Sequence, residues 1–252
     1  MNNSRLIHVF LTAFALFVPL SGFAQGLMFN NSAYPIHERT SYDVFGGRVP
    51  TIKDSLCIDF DMHLYPVQEI GYILRIKNLG DQQIYNLFFD SRGDNLFKLN
   101  EEGKYCLVEA RIDLPHLLDR QWFNMHLAFF LQKDSISLRI DGREYGKKVD
   151  TRLPEIITPE IFFGRCDYII DVPTFAIRNL RIGKGDKYFF QMAESKGNDV
   201  FNISGYDIGK VSNPDWLLND SYNWRYVSSF KSPSIAGAGY DLHLGGGTVR
   251  DA

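Results

Sequence analysis

The chain has 252 residues, 45% of them hydrophobic and 23% charged, with a formal net charge of −3. This composition excludes a disordered, collagenous or coiled-coil chain. The near-balanced charge excludes a partner held by field alone, whether nucleic acid or an anionic membrane surface. Aromatic residues reach 14%, a bias that favours strands over helices.

Residues 1–24 read as a secretory signal peptide. Arg5 supplies the positive end, an apolar stretch runs over 6–20, and Ser21-Gly22-Phe23-Ala24 offers small residues for cleavage before Gln25. That stretch is shorter than the roughly 20 residues of a membrane span, and no later run reaches that length. The expected protein is therefore exported, periplasmic or at the cell surface, with no membrane span after cleavage. Cys57, Cys106 and Cys166 are an odd number and fit no metal-ligand spacing. They are expected to be buried as small apolar residues. Sequons stand at Asn30, Asn202 and Asn219.

The mature chain shows short periods close to two. In 56–64, Ile58, Phe60, Met62 and Leu64 share one face, and Cys57, Asp59, Asp61 and His63 share the other. This is the pattern of a half-buried strand. Segments 72–77 and 84–89 repeat it. In 122–131, Phe123, Met125, Leu127, Phe129 and Leu131 oppose Asn124, His126 and Ala128. Segment 135–142 ends in Asp141-Gly142, a two-residue hairpin turn. Segments 160–164 and 173–182 complete the set, the latter shifting phase at Arg178-Asn179 as a bulge would. Helical periodicity is confined to one turn near 114–120. Strands at this spacing, each with one apolar face, predict an all-β protein of two antiparallel sheets packed face to face. Residues 25–190 form the predicted sandwich, and 191–252 form a turn-rich C-terminal segment in which 224–230 is one further strand candidate.

The runs Ser55 to Met62, Gly71 to Ile76, the Trp122 strand, Ile136 to Gly142 and Phe175 to Ile182 together resemble the concanavalin A-like lectin/glucanase jelly roll in its laminin-G-like form. The segment from Gly197 through Asn213-Pro214-Asp215-Trp216 to Trp224 resembles a junction in Bacteroidetes envelope proteins. There a similar sandwich precedes kelch-type propeller blades, so residues 227–241 would begin a first blade.

Glucanases of this fold carry Glu-x-Asp-x-x-Glu on one strand, supplying the two carboxylates that glycoside hydrolysis needs. The nearest run here, Asp59-Phe60-Asp61-Met62-His63, lacks both glutamates. No Gly-x-Ser-x-Gly elbow, nucleotide loop or His/Cys metal motif is present. The resemblance therefore implies a non-catalytic binding module, with carbohydrate as the expected ligand. A scaffold or protein-interaction domain of a larger envelope protein is the alternative, and a glycoside hydrolase the second. Sugar platforms pair exposed aromatics with nearby polar groups. The candidate ligand residues are Asp59, Asp61, His63, Tyr65 and Trp122, with Tyr85 and Tyr168 as further aromatics. No cofactor is required. The oxygen-rich turn at Asp90, Asp94 and Asn95 is the candidate calcium site.

Overall fold

The structure, a computed structural model, describes residues 26–30, 34–66, 69–92, 95–104, 106–119, 122–148, 152–166, 171–217, 241–244 and 247–250. The predicted signal peptide, Asn219, the strand candidate at 224–230, Tyr168 and Asp94 lie outside these residues, as does all but the last residue of the proposed first blade.

Two large antiparallel sheets make the jelly-roll sandwich expected from the strand periods. The first sheet runs β11 (Arg143–Lys148), β10 (Ser135–Ile140), β9 (Phe123–Phe130), β4 (Ser55–Leu64), β14 (Phe175–Ile182), β1 (Gly26–Phe29) and β18 (Asp215–Leu217). β15 (Phe189–Phe190) pairs with Leu180 and Arg181 near the end of β14. The second sheet runs β16 (Asp199–Phe201), β17 (Asp207–Ser212), β2 (Ser41–Asp43), β13 (Pro159–Gly164), β5 (Ile70–Asn78), β6 (Ile84–Asp90), β7 (Leu96–Glu101) and β8 (Cys106–Arg111). A small ribbon pairs β3 (Ile52–Lys53) with β12 (Ile156–Ile157). A six-residue helix, α1 (Leu114–Asp119), stands where one helical turn was expected. In a separate unit, β19 (Asp241–Leu244) pairs with β20 (Gly247–Arg250).

The phase read from sequence is the phase observed. In β4, Ile58, Phe60, Met62 and Leu64 are buried in the core, and Cys57, Asp59 and Asp61 are half-buried on the outer face. Inward aromatics weld the sheets together. Phe60 meets Phe163 edge-to-face at 5.2 Å, Tyr85 meets Phe129 at 4.9 Å, and Phe29 meets Phe163 at 6.4 Å while stacking on its own-sheet neighbour Phe175 at 4.6 Å. Asp141 and Gly142 both have positive φ, the conformation a two-residue hairpin between twisted strands requires. The bulge expected at Arg178-Asn179 is present: the pairing of β14 with β4 slips between Arg178 and Arg181, and Asn179 has φ of 52°.

Strands continue past residue 190. β16 and β17 extend the second sheet through β2, and β18 pairs with β1 at the edge of the first. The turn-rich texture of 191–217 reflects strands of three to six residues, too short to display a period. Asn202, one of the sequons, builds such a turn. Its side chain is buried, donates to Lys187 O at 2.9 Å and accepts from the Ser204 and Tyr206 amides.

The three cysteines are unbridged, and each is half-buried rather than buried. Cys57 lies in the outward phase of β4, where alternation denies it the core, and partial burial raises its thiol.

One half-buried acid carries a folding cost. Glu194 accepts from the Phe201 amide at 2.9 Å, yet its other carboxylate oxygen is buried with no hydrogen-bond partner. Burial raises its carboxyl above the ordinary range. A carboxyl raised on folding favours the native state below its unfolded value and loses that contribution as pH rises through the folded one. Glu194→Gln should therefore raise the melting temperature at neutral pH, and the gain should shrink as pH falls toward about 4. Thermal melts of both proteins across pH 4–8 check this; a constant difference would contradict it.

Candidate functional site

β-pairing brings the sequence-selected residues together on the outer face of the first sheet. Asp59 and Asp61 point outward from β4, and each already has a partner. His126 Nδ1 lies 2.5 Å from Asp59 Oδ1. Asn179 donates to Asp61 Oδ2 at 2.8 Å, and Arg178 Nε lies 3.4 Å from the same oxygen. Trp122 lies across the sheet, with the Arg178 guanidinium 4.1 Å over its ring and its far edge against Gly26. His63 is buried, stacked on Tyr65 at 4.5 Å and edge-on to Trp122 at 5.5 Å. The candidates form one aromatic and ionic cluster, whose acids and indole are met by His126, Asn179 and Arg178 of the neighbouring strands. Tyr85 points the other way and is buried in the core, where burial and neighbouring carboxylates raise its phenol.

Of the candidate calcium turn, Asp90 and Asn95 are among the described residues. Asp90 Oδ1 accepts the Arg92 amide at 3.0 Å, as in an Asx turn. Asn95 sits at φ of 53°, and its carbonyl accepts from Ile112. Among the described residues no group of three or more His, Cys, Asp or Glu is placed to hold a metal ion. Calcium needs six to eight converging oxygens.

A second face was not marked out by the sequence. The outer surface of the second sheet holds a groove of about 730 Å³, within the range of small-molecule sites. Strand register sets its floor. Across the middle, Lys210 of β17 opposes Asp43 of β2, Asp43 opposes Phe162 of β13, Phe162 opposes Arg75 of β5, and Arg75 opposes Asn86 of β6. At one end Glu160 opposes Lys77, which opposes Ile84. At the other, Ser212 opposes Ser41, which opposes Gly164, and Arg165 follows. A half-buried aromatic ring thus sits at the centre, ringed by charges and hydroxyls. On the same face Tyr72 and Phe88 pair edge-to-face at 5.3 Å.

The groove charges are held in place. Arg75 is buried, with Glu102 Oε2 at 2.7 Å and Asn86 Oδ1 at 3.4 Å. Asp43 Oδ1 accepts the Phe45 and Gly46 amides at 3.1 and 3.0 Å. Lys210 Nζ contacts Asp199 at 2.6 Å and Asp207 at 3.0 Å, contacts that raise its ammonium. One signal was present in sequence. In Glu160-Ile161-Phe162-Phe163, Ile161 and Phe163 are the inward phase, so Phe162 occupies a position where a polar residue is the rule.

No family model matches the chain, and no curated protein matches it. Solved structures do. A protein of Bacteroides ovatus, itself proposed to bind carbohydrate, aligns with a TM-score of 0.52 at 10% identity over 79% of this chain. The chain spans 60% of that protein's length. Domains LG4–5 of the mouse laminin α1 chain align with a TM-score of 0.47 at 17% identity, over 74% of this chain and 47% of theirs. At such identities the likeness is one of fold. The chain has the concanavalin A-like, laminin-G-like jelly-roll fold.

Proposed function

We propose that this chain is an exported, non-catalytic carbohydrate-binding module and that the second-sheet groove holds the sugar. The observation that carries the reading is Phe162, an outward ring centred in a groove whose rim supplies donors and acceptors. An aromatic face takes the apolar CH face of a pyranose, and the surrounding Asp43, Lys77, Glu160, Ser41 and Ser212 suit its hydroxyls. Hydrolysis would need one carboxylic acid and one free carboxylate across the glycosidic bond. Glu102 is committed to Arg75, and Asp43 to two backbone amides, which leaves Glu160 without an evident second carboxylate. The resemblance of fold to a protein proposed to bind carbohydrate supports the same reading.

The test is a glycan array probed with the wild type, Phe162→Ala and Trp122→Ala. Phe162→Ala should weaken binding at least about tenfold, as removal of a central aromatic anchor does, while Trp122→Ala leaves it within a few-fold. Its melting temperature should barely move, because the ring is outside the core. The reverse pattern would transfer the site to the first sheet, with Asp59, Asp61, His63 and Tyr65 as its lining. A blank array with folded protein would favour a scaffold role.

A further inference from the structure

The groove is not symmetric along its length, and the asymmetry lies in which charges are already satisfied. At the middle and on the β6 side, cations have acidic partners: Arg75 has Glu102, and Lys210 has Asp199 and Asp207. Lys77 lies directly across the strand pair from Glu160. At the Gly164 end the lining is Ser41, Ser212, Cys166 and Arg165, with no carboxylate among them. The Arg165 side chain makes no hydrogen bond or ion pair among the described residues, and its Nε is buried without an acceptor. Its backbone is fixed nonetheless, because the Arg165 amide donates to Thr40 O at 3.2 Å.

A buried N–H without an acceptor costs about 1–3 kcal/mol, and more when the group is charged. Guanidinium has donors only, so whatever relieves that cost must bring acceptor oxygens. Charge-assisted bonds are roughly twice as strong as neutral ones, and a planar anion can accept two at once. Along β13, Gly164 lies two residues beyond Phe162, about 7 Å at strand rise. A ring stacked on Phe162 can therefore present an acidic substituent toward Arg165, with the Ser41 and Ser212 hydroxyls as further donors.

We propose that the ligand of this groove is an anionic saccharide, whose carboxylate or sulfate group is taken by Arg165 while its sugar ring stacks on Phe162. The inference rests on the carbohydrate-binding reading and specifies its substrate class. Arg165 is the specificity-determining residue, and Phe162 contributes binding to acidic and neutral sugars alike.

The experiment titrates the full chain calorimetrically with a panel of oligouronates (galacturonate, mannuronate and guluronate), with their carboxyl-reduced counterparts, and with dextran sulfate beside dextran. At least one acidic probe should bind about tenfold or more tighter than its neutral partner, and the ratio should fall as salt rises from 50 to 500 mM. Arg165→Gln should abolish the ratio by weakening only the acidic probe, and Arg165→Lys should restore part of it. A preference for oligouronates identifies a carboxylate ligand, and a preference for dextran sulfate a sulfate ester. Thermal melts confirm that each variant is folded. Equal binding of acidic and neutral partners, or a preference that survives Arg165→Gln, overturns the inference while leaving the carbohydrate reading intact. Absence of binding to every saccharide, here and on the array, overturns both.

Discussion

Replacing Gly164 by alanine is expected to cost the protein a few kcal/mol of its stability and its groove as well. Gly164 closes β13 with φ of 71°, in the left-handed region. An alanine there pays about 1–2 kcal/mol for the backbone alone. Its Cβ would also press into the Phe29 ring and lie 2.7 Å from Thr40 O. Phe29 cannot move aside, because it is fully buried and stacked on Phe175. Overpacking of this kind adds about 1–3 kcal/mol. The sum is a large share of the roughly 5–15 kcal/mol that holds a domain together. The same residue sets the path by which the chain leaves β13, delivering Arg165 to the groove end and its amide to Thr40 O. Urea unfolding should show a much lower midpoint for Gly164→Ala, with part of the loss recovered when Phe29→Leu makes room. A midpoint within experimental error of wild type would mean that the backbone there is free to change hand.

Phe175→Ala should be comparably damaging by the opposite route, through a void rather than a clash. Phe175 opens β14 and is fully buried, opposite Leu64 of β4 on one side and Phe29 of β1 on the other. It is the stacking partner of the ring that spans from the first sheet to Gly164 of the second. Truncating a buried phenylalanine costs about 3–5 kcal/mol, because the lost transfer energy is joined by a cavity that rigid strands cannot close. The denaturant slope should be unchanged while the midpoint falls. Phe175→Leu should keep more than half of the loss from appearing. The contrast with Phe162→Ala is the informative comparison. The two rings belong to opposite strand phases, so one should lower stability with little direct effect on ligand contact, and the other should lower binding with little effect on stability. Equal stability losses in both would assign Phe162 to packing rather than recognition.

The two sheet faces differ for a physical reason. On the first sheet, Asp59, Asp61, His63, Tyr65 and Trp122 were selected because they share a strand phase or flank it. Folding then supplied His126, Arg178 and Asn179 from β9 and β14, and these take up acid oxygens of Asp59 and Asp61 and lay a guanidinium over the indole. A ligand there must displace contacts already made. On the second sheet the neighbours of Phe162 leave its outward side half-exposed, and Arg165 retains an unanswered donor.

What could be read along the chain was whatever local chemistry settles. Strands β4, β5, β6, β9, β10, β13 and β14 show an apolar face because a half-buried pleat demands period two. The Asp141-Gly142 turn was readable because positive φ restricts residue choice, and the Arg178-Asn179 bulge because the period-two alternation slips there. Two-residue and three-residue strands such as β15, β16 and β18 left no such trace. Adjacency was not readable at all. Asp43, Phe162, Arg75 and Lys210 lie far apart in the chain and become neighbours only through the ladders of β17, β2, β13 and β5. Periodicity assigns a side chain to a face, but ladder hydrogen bonds are made by backbone groups common to every residue. The order of strands, and with it the groove, is therefore chosen by how the whole set of apolar faces can be buried at once.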